Sequence, residues 1–235
     1  MEDWLQEIWR VREEEIYPQI FGPLPDKVLP LPIEAILGIL GERPVDPRWL
    51  RYAVIEIEPN KNRPDWVYVT DALSTPWNIK ESNELDPNGM SGMGFEMMLR
   101  TSQRSGWAVD ILHRLMAYQI GVAYDILKGR LFNYGDWMPL NGPISHDYPT
   151  TPVRGILMTR PLDLESQFKL PSGKVDLLQI VGITGNELAY LLQRGPDTLV
   201  GQLYDQKAAP ITNPGRAAIK LNETFTLSPE LAKRF

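Results

Sequence analysis

Residues 175–183 (VDLLQIVGI) are apolar at almost every position, and Thr184-Gly185-Asn186-Glu187 follows them directly. A strand that is apolar on both sides has to be covered on both faces, so this run predicts the centre of a sheet with helices above and below it. The junction after it is equally constrained. The Thr184 hydroxyl can accept from the Glu187 N–H while the Glu187 carboxylate reaches back to the Thr184 N–H, and Ile183 and Leu188 flank the pair as a hydrophobic staple. The helix begun there carries Leu188, Leu191 and Leu192 and ends at Gly195-Pro196.

Other segments supply partners for that strand. Residues 52–58 (YAVIEIE) alternate apolar and acidic side chains, residues 66–70 (WVYVT) are aromatic and β-branched, and the Asn-Lys-Asn-Arg-Pro segment between them suits a hairpin. In residues 93–100 (MGFEMMLR), Phe95, Met97 and Leu99 alternate with Gly94, Glu96, Met98 and Arg100, which predicts a strand. Residues 153–159 predict another. From 107 to 127 the period changes: Trp107, Ile111, Leu112, Leu115, Tyr118, Val122 and Ile126 make one stripe, so the longest helix lies here and packs across the sheet. A short helix is expected over 197–205. Residues 1–20 read as an amphipathic helix with Leu5, Ile8, Trp9, Arg12 and Ile16 on one face, Asp3 as N-cap and Pro18 as the stop. Six acids face two bases in that stretch, Glu2 among them, and its charge makes up most of the net −6 of the chain. The last thirty residues alternate weak strand and turn signals, and residues 221–235 are read as a tail. No internal repeat divides the 235 residues, so they are read as one domain over 1–235, of the α+β class.

The chain has no cysteine, which removes disulfides, thiolate nucleophiles and cysteine-based metal sites together. The acidic balance argues against a nucleic-acid grip. The opening residues lack the basic and apolar regions of an export signal, and no apolar run is long enough to span a bilayer, so the expected location is the cytoplasm, without membrane attachment. Gly89, Gly92 and Gly94 in GMSGMG do not have the spacing of a phosphate-binding loop, and Met93 stands where a nucleophile elbow around Ser91 would need glycine. Glycine there is read as allowing a turn and the close approach of another segment. The methionines at 90, 93, 97 and 98 either fill a core or form a plastic binding surface.

His113 has no metal or acid partner at helical spacing and is read as structural. His146 could act as a base with Asp136 or Asp147. The acids Asp163 and Glu165 lack a second group of ligands. No catalytic constellation, metal site or cofactor site emerges. Aromatics remain: Trp66, Tyr68, Trp77, Tyr134, Trp137 and Tyr148 lie in or beside strands and turn-rich loops, where they can anchor a protein partner or seal a core edge.

Three blocks, Trp66-Val-Tyr-Val-Thr-Asp-Ala-Leu-Ser74, Gly89-Met-Ser-Gly-Met-Gly-Phe-Glu96 and Leu178-Gln-Ile-Val-Gly-Ile-Thr184 followed by Glu187-Leu188, resemble in order and spacing the suppressor of fused (SUFU-like) domain. The resemblance runs from about Trp4 to about residue 220 and is to the compact bacterial form, without the second domain of the animal proteins. It implies a mixed, mostly antiparallel sheet with flanking helices, no catalytic activity and a protein partner. Animal members grip an extended peptide of a transcription factor, and a tyrosine and an aspartate of this domain face it. Trp77 and Asn88 stand at those positions, with Asp86 close by. Bacterial members are thought to be immunity proteins that neutralise toxins exchanged between cells. The resemblance therefore implies binding to a cognate toxin or to a cellular peptide through Trp77, Asp86 and Asn88, to which the loop aromatics Trp137 and Tyr148 are added. A regulatory adaptor is the alternative reading, and a hydrolase built on His146 a third.

Overall fold

The computed structural model describes residues 3–41 and 43–235. Its strands are β1 (Leu29–Pro30), β2 (Ala53–Ile57), β3 (Trp66–Asp71), β4 (Met90–Thr101), β5 (Trp137–Pro139), β6 (Val153–Thr159), β7 (Gln167–Leu170) and β8 (Gly173–Thr184). They make one sheet in the order β1-β2-β3-β4-β8-β6-β5, with β7 also pairing β8. Only β4 and β8 run parallel; every other pair is antiparallel. The fold is α+β, with a mixed, mostly antiparallel sheet and helices on both faces. The long apolar run lies at the middle, as its composition requires, because β8 pairs β4 on one side and β7 and then β6 on the other.

Side-chain alternation sorts the core. Phe95, Met97 and Leu99 of β4 with Leu178 and Ile180 of β8 face α3 (Ile33–Leu40) and α4 (Gly106–Ala123). Met98 and Leu177 face the other way, toward the amino-terminal helix, and Leu157, Val181 and Ile183 pack under α5 (Gly185–Arg194) and α6 (Pro196–Asp205). The α4 helix stops sooner than its apolar stripe suggests: Ile126 and Leu127 both donate to the Gly121 carbonyl, which turns the chain away after Ala123. His113 sits in that helix, buried, with Nε2 3.1 Å from the Leu29 carbonyl, and burial pushes its imidazole down.

The amino-terminal helix departs from the expected form. It comprises α1 (Asp3–Arg10), a π-helical stretch Val11–Ile16 and α2 (Tyr17–Phe21), and Pro18 does not stop it. Pro18 stands directly after the π turn, whose i to i+5 bonding ends with the Tyr17 N–H donating to the Arg12 carbonyl, and the chain continues helically to Gly22. Asp3 lies in the first turn of α1, and Glu2 is outside the described residues. In the tail, α7 (Pro229–Ala232) places Leu231, and with it Leu227 and Phe235, against the core beneath α5.

The capping box after β8 forms as the sequence predicts, and it does more than start α5. Glu187 is fully buried: its carboxylate accepts from the Thr184 and Ile219 N–H groups at 2.8 and 2.9 Å and pairs with both terminal nitrogens of Arg216 at 2.6 Å. One side chain thus fixes the strand-to-helix junction and the returning chain of residues 216–219. Glu187→Ala leaves Arg216 buried without its anion, which costs about 3–5 kcal/mol. Urea unfolding of the variant should show a midpoint lowered accordingly, with an unchanged slope.

Candidate functional site

An open hollow of about 320 Å³ lies where the start of β4 meets the segment after β3. Tyr52, Trp77 and Tyr124 supply its aromatic wall, Met90 and Met93 its flexible apolar floor, and Glu84 and Asp86 its rim. No basic side chain lines it, and neither rim carboxylate forms an ion pair with a described residue. Of the methionines, Met97 and Met98 are core, Met93 is partly buried and Met90 is half exposed, so both sequence readings of the cluster apply, each to part of it.

Backbone chemistry builds this hollow. Gly92 has a φ of +57°, and a Cβ there would lie 2.5 Å from the Ser74 carbonyl carbon and 2.7 Å from the Leu73 oxygen. Glycine is therefore what lets residues 73–75 lie directly on β4. The Met93 N–H donates to the Leu73 carbonyl and the Ser91 hydroxyl to that of Ser74, at 2.9 and 2.6 Å. Trp77 follows, its ring 5.9 Å from that of Trp9 in α1, and its carbonyl accepts from Arg48 at 2.8 Å. The Trp9 indole N–H donates to the Thr75 hydroxyl at 3.2 Å, which fastens the amino-terminal helix to the same segment.

Beneath the segment is a buried polar knot. Glu96, fully buried, accepts from the Thr70 hydroxyl at 2.6 Å and from the Ser74 hydroxyl and N–H at 2.6 and 2.8 Å. Arg12 reaches in from the helix, pairing with Asp71 at 2.6 Å and donating to the Ser74 and Thr75 hydroxyls. The Tyr17 hydroxyl donates to the Thr70 carbonyl at 2.9 Å. Burial works against the Arg12 charge, but Asp71 and Glu96 outweigh it and hold the guanidinium above its usual range. Glu96 is pushed up to about 7, chiefly by burial, with Arg12 and the hydrogen bonds pulling the other way. Sequence reasoning placed Arg12 on an apolar helix face and Glu96 among strand methionines without assigning either a task. An arginine in an apolar stripe was the available signal.

The sequence-predicted site residues separate into groups. Trp77 and Asp86 line the hollow; Asn88 is exposed on the same loop, its N–H donating to the Asp86 carboxylate at 2.9 Å. Trp137, in β5, packs against the core under α5, and Tyr148 is exposed beside Gly215; neither lines the hollow. His146 is exposed, whereas Asp136 is engaged by Arg130 and the Asn133 N–H, so these two do not form a pair. Among the described residues no three of His, Asp and Glu gather as metal ligands, and no helix is long and apolar enough to cross a membrane.

A model of the suppressor of fused protein (SUFU) family matches residues 48–217. The chain belongs to the suppressor of fused family. Two solved structures share its fold at low identity. A chain of the Sufu–Fu complex is 17% identical with a TM-score of 0.56, covering 82% of this chain and 93% of that one. Drosophila Suppressor of Fused is 16% identical with a TM-score of 0.56, covering 83% of this chain; the match spans about half of the Drosophila protein, 54%. A SUFU homologue from Neisseria gonorrhoeae FA 1090 is 14% identical with a TM-score of 0.49, covering 81% and 96%. Among curated proteins nothing matches the sequence.

The SUFU-family block containing Glu96 makes a pH prediction. A carboxyl raised from 4.5 to about 7 on folding binds its proton more tightly in the native state. Its contribution is therefore complete below pH 4.5 and is lost as pH rises through 7, amounting to roughly 3 kcal/mol. Denaturant unfolding at pH 5 and pH 8 should show this loss in the natural protein and a much smaller one in Glu96→Gln, which keeps a neutral acceptor for Ser74.

Proposed function

We propose that this suppressor of fused protein is a non-catalytic, single-domain binding module of the cytoplasm that neutralises a cognate toxin by covering its surface. The hollow beside Trp77 carries this reading: it is open, aromatic and methionine-rich, with an unpaired acidic rim and no catalytic side chains converging on it. Rigid aromatics give large contact area at small entropic cost, and methionines adapt to the shape of what enters. Trp77 is the anchor, Asp86 and Asn88 belong to the rim, and Trp137 and Tyr148 enter only if the partner extends over other parts of the surface. A toxin that acts on nucleic acid carries a basic face. The acidic rim and the acids of the amino-terminal helix, of which Glu7 and Glu15 are exposed, would speed its approach.

The adaptor reading, in which the same hollow takes an extended segment of a cellular protein, draws on the likeness to a Sufu chain found in complex with Fu. Co-expression with candidate toxins, and capture of whatever the chain binds in its host, separates the two. Rescue of growth together with a stable complex supports immunity; a complex with a host protein and no rescue supports the adaptor. In either case the hollow is tested directly. Trp77→Ala should weaken the complex by about 2 kcal/mol or more, some thirtyfold in Kd. The half-exposed Met90→Glu should weaken it comparably without disturbing the core. Affinity unchanged in both variants by calorimetry would move the binding surface elsewhere.

A further inference from the structure

A second hollow lies apart from the one beside Trp77. It measures about 650 Å³ and is lined by the end of α2, the β2–β3 turn, Arg100 and the loop carrying Asp163. It shares no lining residue with the hollow. Its charges are unusual for a protein of net charge −6: Lys61, Arg63 and Arg100 line it against the single carboxylate of Asp163.

Both arginines are buried, and one buried acid serves them. Asp65 is 1% exposed and holds Arg100 through Nε and Nη2 at 2.7 and 3.0 Å. Its approach to Arg63 is only 3.8 Å. Arg63 is otherwise satisfied by carbonyls alone, those of Phe21, Glu58 and Asp65, and its Nε has no partner. Burial, with Arg100 repelling it, pushes the Arg63 guanidinium down while Asp65 holds it up. Uncompensated buried cations are costly, and an anion is the ordinary remedy. Here the remedy is partial. The outward Nη1 of Arg100 donates to both oxygens of Asp163, at 2.8 and 2.7 Å, but that carboxylate is 45% exposed and sits next to Leu162, itself 63% exposed. Lys61 at the mouth is exposed and forms no ion pair with any described residue.

We propose that this cavity is an oxyanion site, which takes a carboxylate or phosphate group between Arg100 and Lys61, with Asp163 as the internal stand-in that the ligand displaces. Arginine presents a planar fork suited to two oxygens of one group, and the incoming anion keeps the Arg100 interaction while gaining Lys61 and the unsatisfied field of Arg63. The competitor it removes is weak, because a half-exposed carboxylate contributes at most about 1 kcal/mol. The group can come from a free small anion or from an acidic residue of a bound partner, and the chemistry is the same.

NMR titration of the full chain at low ionic strength distinguishes these sources. The two probes are inorganic phosphate and an end-blocked Gly-Glu-Glu-Gly peptide. Saturable shifts confined to residues 60–64, 100 and 160–165 are expected for at least one of them. Phosphate alone points to a free anion, the peptide alone to a partner's acidic residue. Asp163→Asn should tighten binding about fivefold, the converse of losing an exposed ion pair, and Lys61→Ala should weaken it by a similar factor. Both substitutions lie at the surface and leave the buried Asp65–Arg100 pair in place, so folding is not at issue. The proposal is overturned if neither probe saturates with the natural protein or with Asp163→Asn, or if Lys128→Ala, an exposed lysine outside the cavity lining, weakens binding as much as Lys61→Ala.

Discussion

Two carboxylates and one guanidinium, all beneath a single loop, set the terms for the rest of this structure. Glu96, Asp71 and Arg12 are withdrawn from water, and withdrawn charges are tolerable only when other groups pair with them. The pairing here draws on four parts of the chain: the amino-terminal helix supplies Arg12 and Tyr17, the end of β3 supplies Thr70 and Asp71, β4 supplies Glu96, and the connecting segment supplies Ser74 and Thr75. Moving any one of them leaves the others unsatisfied. Hydrophobic burial would accept several slightly different placements of the helix on the sheet; the knot accepts one.

The π-helical stretch is what allows the helix to take part. Arg12 and Tyr17 are five residues apart and both fully buried, Tyr17 on the Thr70 carbonyl and Arg12 on Asp71 and the Ser74 and Thr75 hydroxyls. In a regular α-helix side chains at that spacing point well away from each other, whereas the wider π turn, with its i to i+5 bonding, brings them nearly above one another. The irregularity therefore sits where the polar knot demands two contacts from one helix face. A single amphipathic helix over residues 1–20 cannot be reconciled with both contacts, which is why the periodicity of Leu5, Ile8, Trp9, Arg12 and Ile16 describes the helix only in part.

What could be read from the residues follows the same division. The apolar β8, the alternating β4, the hairpin around Asn60 and the capping box at Thr184 were legible because each depends on local pattern or local hydrogen bonding. So was the close approach at Gly92. The knot was not, since Arg12 and Glu96 are separated by most of the first hundred residues and neither signals the other by spacing. The same holds for Arg63, Asp65 and Arg100, whose burial together no local spacing signals. Trp77 and Asp86 came from resemblance, and their place in one hollow from the fold; Trp137 and Tyr148, chosen as loop aromatics, lie apart from them because an aromatic in a turn can cover a core as readily as face a partner.

The knot also bears on how the hollow would bind. Ala72 holds a φ of +88°, a conformation that costs a residue with a side chain on the order of 1 kcal/mol, and it does so at the turn between Asp71 and Ser74, both fixed by the buried charges. Strain of that kind persists only where the surroundings over-determine it. The loop that presents Trp77 is thus held in place before any partner arrives, pinned from below by Glu96, from one side by β4 through Gly92, and from the other by Trp9. A preformed hollow spares the ordering entropy that a mobile loop would lose on binding. In this family member the buried polar chemistry and the exposed apolar surface meet in the segment that follows β3, and the first is what keeps the second in shape.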